Sequence, residues 1–129
     1  MTRHDPVAAI RHMRDHAAEA AEMARGRSRE DLDTDRLLNL ALVRLLAMVG
    51  EGARLVPEEF RARHAAVPWC DISDRGSRLI HGYDTINFDI VWAVIQDELP
   101  PLVEQLNTIL CEDPRGRGES SEEPAPTTD

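Results

Sequence analysis

Two apolar stripes at helical spacing constrain this chain more than any other feature. Val7, Ile10, Met13, Ala17, Ala20 and Ala24 recur every three or four residues. Leu38, Leu42, Leu45, Val49, Gly52 and Val56 repeat the pattern. Side chains three or four apart share one face of an α-helix, so each stripe predicts one long helix with a single buried face. Further along, Ile90, Val91, Val94 and Ile95, then Leu102, Leu106 and Ile109, keep the same period. With aromatics at only 4%, little favours strands. The expected fold is all-α, an up-and-down bundle of four to five helices.

Local signals punctuate the helices. Asp5 before Pro6 reads as an N-cap and a first-turn proline, and Gly26 as the stop of the first helix. Ser28 and Asp31 resemble a capping pair opening the next segment. Pro57, Glu58 and Glu59 begin a short helix reaching about His64, and Val67-Pro68-Trp69 breaks the chain. A further helix is expected from about Asp71 to His81, ending at Gly82. Asn87 caps another, which the Pro100-Pro101 pair must end or kink. From Glu112 the composition turns to Gly, Ser, Pro, Glu and Thr. The expected organisation is one helical domain over residues 1–111 and a disordered acidic tail over 112–129.

Composition narrows the function classes. At 129 residues the chain suits one domain with a modest core. The net charge is −9, and the tail from Glu112, with six acidic and two basic residues, accounts for −4 of it. A generic nucleic-acid binder is therefore disfavoured, and any RNA site must be a local basic patch or a dimer cleft. No run of about 18 apolar residues exists, so no membrane span is expected. The charged N-terminus lacks a signal core, and Cys70 and Cys111 make no disulfide framework; a cytoplasmic protein with reduced thiols is expected.

The chemistry is concentrated in WCDISDRGSRLIHGYDTINFDIVW, from Trp69 to Trp92. Arg75, Arg78 and His81 are spaced three apart, one helical turn between neighbours, and Tyr83 follows closely. This set suits phosphodiester cleavage. Histidine exchanges protons near neutrality, and the arginine fork holds a phosphate and its growing negative charge. RNA brings its own nucleophile, the 2′-hydroxyl, so such a site needs no metal. Spacing alone fits equally an unreactive arrangement, with solvated arginines, His81 on the last helix carbonyls and Tyr83 as a half-buried anchor.

Other candidates read more plainly. His12 and His16 have a metal-binding spacing but no evident third ligand. Asp84 and Asp89 read as turn and helix-start residues, Trp69 and Trp92 as bundle packing. Cys70 is as much a small packing residue as a nucleophile. Glu51 could face a cleft or be an ordinary polar helix position.

The block RLIHGYDTINFDIVWAVIQDELPPL, Arg78 to Leu102, resembles the C-terminal signature of the HepT-like ribonucleases of the HEPN superfamily. The VPW at Val67 to Trp69, the Leu-rich second helix and GRSREDL at Gly26 to Leu32 fit the same pattern. The resemblance spans roughly residues 6 to 110. His81-Gly82-Tyr83 match the family's His-x-Tyr. The family usually reads Met-Arg-Asn-Arg-Leu-Ile/Val-His just before it, where this chain has Arg75-Gly76-Ser77-Arg78-Leu79-Ile80-His81. Gly76 thus stands at the usual arginine and Ser77 at the asparagine. Either Arg75 or Arg78 substitutes, or the chain is a degenerate member that binds but cleaves poorly.

The resemblance implies a helical homodimer whose paired motifs face a shared cleft and cut RNA without a metal or other cofactor. His81, Arg75 and Arg78 would be catalytic, with Ser77 and Glu51 supporting. It also implies a partner, a minimal nucleotidyltransferase antitoxin that attaches AMP to Tyr83 and silences the toxin.

Overall fold

The computed structural model describes residues 5–81 and 86–112, with side chains as far as residue 79 in the first stretch. Among the described residues every regular element is helical. The chain runs through α1 (Pro6–Ala24), α2 (Asp31–Thr34), α3 (Arg36–Leu55), α4 (Glu58–Arg63) and α5 (Trp69–His81). It continues as one helical stretch, α6 (Phe88–Ala93), a π turn (Val94–Glu98) and α7 (Leu99–Glu112). Four long helical segments form the bundle, and α2 and α4 are short pieces in its connections. The expected all-α bundle is the one observed. Residues 1–4, and all of the expected tail after Glu112, lie outside the described residues; Glu112 itself ends α7.

Three of the four long helical segments begin where a cap residue stands. Asp5 Oδ1 accepts from the Val7 backbone N–H at 2.9 Å, with Pro6 in the first turn. Asp35 Oδ1 accepts from Leu38 N at 3.1 Å, and Asn87 Oδ1 from Asp89 N at 2.8 Å. Each bond satisfies a backbone donor that the helix cannot. After α1 the chain turns at Gly26, whose φ of 75° is the left-handed conformation that glycine adopts without strain. Ser28 N then donates to Asp31 Oδ2 at 2.8 Å, one half of the expected capping pair.

All six residues of the first stripe and all six of the second are buried. They meet because α3 lies between α1 and α5 and packs extensively on both. Two glycines of α3 make this possible. Gly50 and Gly52 are two residues apart, so they face nearly opposite ways, about 200° apart around the helix. A Cβ on Gly52 would lie 2.4 Å from Met13 Cγ on α1. A Cβ on Gly50 would lie 2.6 Å from Gly76 Cα and 2.9 Å from the Ile72 carbonyl oxygen on α5. One polar side chain is buried in the core among the described residues. It is Asn39, which donates to the Leu32 carbonyl at 2.8 Å and ties the α2 turn to α3.

The proline pair, expected to end or kink the last helical stretch, does not end it. Pro100 and Pro101 cannot donate to the carbonyls four residues back, and in a regular α-helix their rings would clash there. The preceding turn is widened instead, so that Leu99 N donates to the Val94 carbonyl, five residues back. The prolines then sit in the first turn of α7, where a missing N–H costs nothing. The wide turn also sets the side chains of Asp97 and Glu98 against α5 (below).

Candidate functional site

The candidate residues lie along α5, and packing decides which way each points. Trp69 opens the helix, 5% exposed, its Nε1 donating to the His64 carbonyl at 3.0 Å. Ile72 and Gly76 follow on the same face, both buried against α3, with Leu79 half-buried beyond them. At about 100° per residue, Gly76 is turned about 40° from Ile72 one way and Arg75 about 60° the other. Arg75 therefore flanks the buried face, while Ser77 and Arg78 are exposed.

The position of Gly76 bears directly on the departed motif. A Cβ there would lie 2.7 Å from Gly50 Cα and 3.2 Å from the Ala47 carbonyl. Atoms of backbone stand on the other side, and backbone yields far less readily than a side-chain tip. The glycine is the contact surface of a helix crossing, with no room for any side chain.

Arg75 reaches the other way, across a cleft of about 430 Å³ between α3, α5, the π turn and α7. Its Nη1 donates to Glu98 Oε1 at 2.7 Å. Leu46, Val49, Ile72, Val94 and Leu102 form apolar walls, and Asp71, Arg75, Asp97, Glu98 and Gln105 the polar lining. Three carboxylates against one guanidinium make a poor seat for a phosphate. Gln105 also donates to the Ala66 carbonyl at 3.2 Å and so closes one end.

Arg78 stands one turn on, nearer the end of α5. Among the described residues it makes no ion pair or hydrogen bond, and none joins it to the exposed Asp74 one turn before. His81 is the last residue of α5, one turn beyond Arg78 along the backbone. Tyr83, Gly82 and Asp84 lie outside the described residues. The structure thus brings Arg78 and the His81 backbone to one helix end and sends Arg75 into the cleft.

Glu51 lies elsewhere. It is exposed on α3, bonded through both carboxylate oxygens to Arg54, Nε at 3.2 Å. The Arg54 guanidinium holds its carboxyl below the ordinary value. His12 and His16 stack loosely, ring centroids 6.4 Å apart, and no group of three metal-ligating side chains occurs among the described residues. Asp89 lies in the first turn of α6 and binds Arg29 at 2.6 Å, while Trp92 packs half-buried against the core. Cys70 is exposed and so packs little.

Sequence reasoning passed over Gly50, Asp71, Asp97 and Glu98. The run Gly50-Glu51-Gly52 inside a Leu-rich helix was the available signal for close crossings. Nothing local marks Glu98 as the partner of Arg75.

Comparison with known proteins decides the family. The profile of the family described as Ribonuclease HepT-like matches residues 13–109. The chain belongs to the HepT-like ribonucleases of the HEPN group. Among curated relatives, a candidate RNase of Caldanaerobacter subterraneus subsp. tengcongensis is 40% identical over 89 residues, 69% of this chain and 80% of that protein. A ribonuclease HepT so named in Thermococcus cleftensis, on inference, is 28% identical over 89 residues, 66% of this chain and 81% of its own length. A candidate RNase of Methanocaldococcus jannaschii is 30% identical over 87 residues, 67% of this chain and 71% of the relative. No solved structure matches the chain. The matched span contains every element from mid-α1 to α7, hence the whole crossing and the whole of α5.

Proposed function

We propose that this HepT-like protein is a metal-independent endoribonuclease toxin, paired with a minimal nucleotidyltransferase antitoxin that attaches AMP to Tyr83. The observation that carries the reading is the helix end itself, where exposed Arg78 stands one turn before His81 and the His-x-Tyr element within a family-matched span. In the proposed reaction His81 takes the proton of the RNA 2′-hydroxyl, which attacks the adjacent phosphorus. The bond to the 5′-oxygen breaks, and that oxygen leaves as a hydroxyl once protonated. A 2′,3′-cyclic phosphate and a 5′-hydroxyl remain. An arginine, Arg75 or Arg78, holds the phosphate while charge builds on its oxygens. Ser77, exposed beside Arg78, is in reach of the same helix end as a supporting donor. Glu51, engaged by Arg54, supports only if a second subunit brings it there.

A homodimer with facing motifs would gather the basic charge that one acidic chain lacks. Among the described residues no helix is long and apolar enough to cross a membrane, in keeping with the proposed cytoplasmic setting. AMP on Tyr83 would place a phosphate and a bulky base beside His81 and compete for the same arginine.

One observation favours a second reading. Gly76 occupies the usual arginine position and is closed against Gly50, which fits a non-catalytic HEPN subunit that only binds the transferase. The deciding experiment is RNA cleavage in EDTA by wild type and His81→Ala, with end-group analysis. Cleavage by wild type alone, leaving cyclic or 3′-phosphate ends, is expected. Inactivity of both, from folded protein lacking AMP, would favour the second reading. In the same preparation the transferase should label wild type and leave Tyr83→Phe unlabelled.

A further inference from the structure

We infer that Arg78 alone supplies the phosphate-binding guanidinium of this chain, and that Arg75 is instead a structural partner of Glu98. The inference rests on the ribonuclease reading and settles which arginine replaces the missing one. Three positions on α5 compete, and each has different surroundings.

The Gly76 position is closed. Its backbone touches that of Gly50, and a side chain of any length would push α3 and α5 apart. No readjustment of rotamers restores an arginine there.

The Arg75 position is occupied by other work. Its guanidinium bonds Glu98 at 2.7 Å, and Asp71 and Asp97 line the same cleft. A phosphate brought to Arg75 would displace one carboxylate and face two more. Their like charge would oppose the phosphate. The position is also remote. Arg75 lies six positions before His81, about 9 Å along the helix axis, against three positions and about 4.5 Å for Arg78. Along the α5 backbone Arg78 stands one turn from His81 and Arg75 nearly two.

The Arg78 position meets the needs of the role. It is exposed, it makes no ion pair with another described residue, and it is not among the residues that line the acidic cleft. The π turn is what separates the two arginines. By widening the helix ahead of Pro100 and Pro101, it places Glu98 where it pairs with Arg75, while Arg78 has no carboxylate partner among the described residues.

The test compares Arg75→Ala, Arg78→Ala, Arg78→Lys and Glu98→Ala, plus the Arg75→Ala/Glu98→Ala double variant, by three readouts: RNA cleavage in EDTA, salt dependence of RNA binding, and thermal melting. Arg78→Ala should cut cleavage about 10²–10³-fold with an unchanged melting temperature. Its slope of log affinity against log salt should fall by about 1. Arg78→Lys should recover only part of the rate, since an ammonium lacks the fork. Arg75→Ala and Glu98→Ala should each lower the melting temperature by about 1–4 °C, and together by less than their sum. Both should keep the wild-type salt slope. Loss of cleavage and of salt slope in Arg75→Ala, with Arg78→Ala unaffected, would overturn the assignment and leave the ribonuclease reading standing. If wild type binds RNA without cutting it, the salt slopes alone decide between the arginines. If it neither binds nor cuts RNA, the ribonuclease reading falls and takes the assignment with it.

Discussion

The two faces of α3 solve the same problem by different means. Toward α1 the crossing pairs a glycine with a flexible side chain, Gly52 with Met13, along a regular stripe of Ala and Leu. Toward α5 it pairs glycine with glycine, and backbone meets backbone. The α5 side also borders a cleft with four charged residues, whose far wall is the π turn and α7, elements that themselves pack on α1. The α1–α3 stripe is regular, while irregular geometry gathers around the cleft beside α5. Departures from local regularity cost stability and persist where another requirement holds them.

The largest effect expected from this comparison follows restoration of the family's arginine. Gly76→Arg would drive a long cation into a backbone contact with no partner to pair it. The loss should exceed about 4 kcal/mol, enough to unfold many domains of this size. Circular dichroism and melting of the purified variant read it directly. A stable, active Gly76→Arg protein would mean that α3 and α5 separate readily and that the close crossing is not a barrier to the usual motif.

Glycine-to-alanine changes on the two faces of α3 sharpen the same contrast. Gly50→Ala and Gly52→Ala gain the same helix propensity, about 1 kcal/mol each. Gly50→Ala meets the Gly76 Cα and the Ile72 carbonyl, and both helices must shift; overpacking of that kind costs about 1–3 kcal/mol. Gly52→Ala meets Met13 Cγ, so that fully buried side chain must take another rotamer, a smaller demand than shifting two helix backbones. Chemical denaturation should rank Gly50→Ala well below Gly52→Ala in stability. Equal losses would show the two crossings to be equally rigid.

These contrasts explain what the sequence disclosed. The stripes of α1 and α3 were legible because periodicity reports burial directly, and the caps at Asp5 and Asn87 because a cap is a local event. The bundle followed from those alone. Around α5 the local signals misled or fell silent. Pro100 and Pro101 announce an end or a kink; the stretch does not end, because a π turn absorbs them, and that choice depends on how the widened helix packs rather than on the prolines. Gly76 reads as a missing arginine because a sequence displays side chains; its role is a contact with Gly50, 26 positions away, made possible by having none. Arg75, three positions from Arg78, looks equivalent to it until Glu98 arrives from another helix. The stretch with Tyr83 was legible as a motif through its resemblance alone.

The smallest expected effect probes the connection after α1, where charge ties the loop at Arg27 to α2 and to the N-cap of α3. Arg27 donates to Asp31 at 3.2 Å and to Asp35 at 2.6 Å. Asp35 is held below its ordinary value of 3.8 chiefly by Arg27, then by the Leu38 backbone N–H. Asp31 is held below 3.8 first by the Ser28 backbone N–H, then by Arg27. A carboxylate whose folded pKa is depressed contributes stability that is complete above the unfolded value and is lost as pH falls through the folded one. The contribution should therefore be intact at neutral pH and fade below about pH 4. Arg27→Ala moves both folded values toward 3.8, so its melting temperature should fall less steeply than that of wild type between pH 4 and pH 2. Because the ion pairs are solvent-exposed, the difference should shrink further in high salt. Identical slopes for the two proteins would mean that the caps alone set these carboxylates, and that even the charge in this connection is governed by helix geometry.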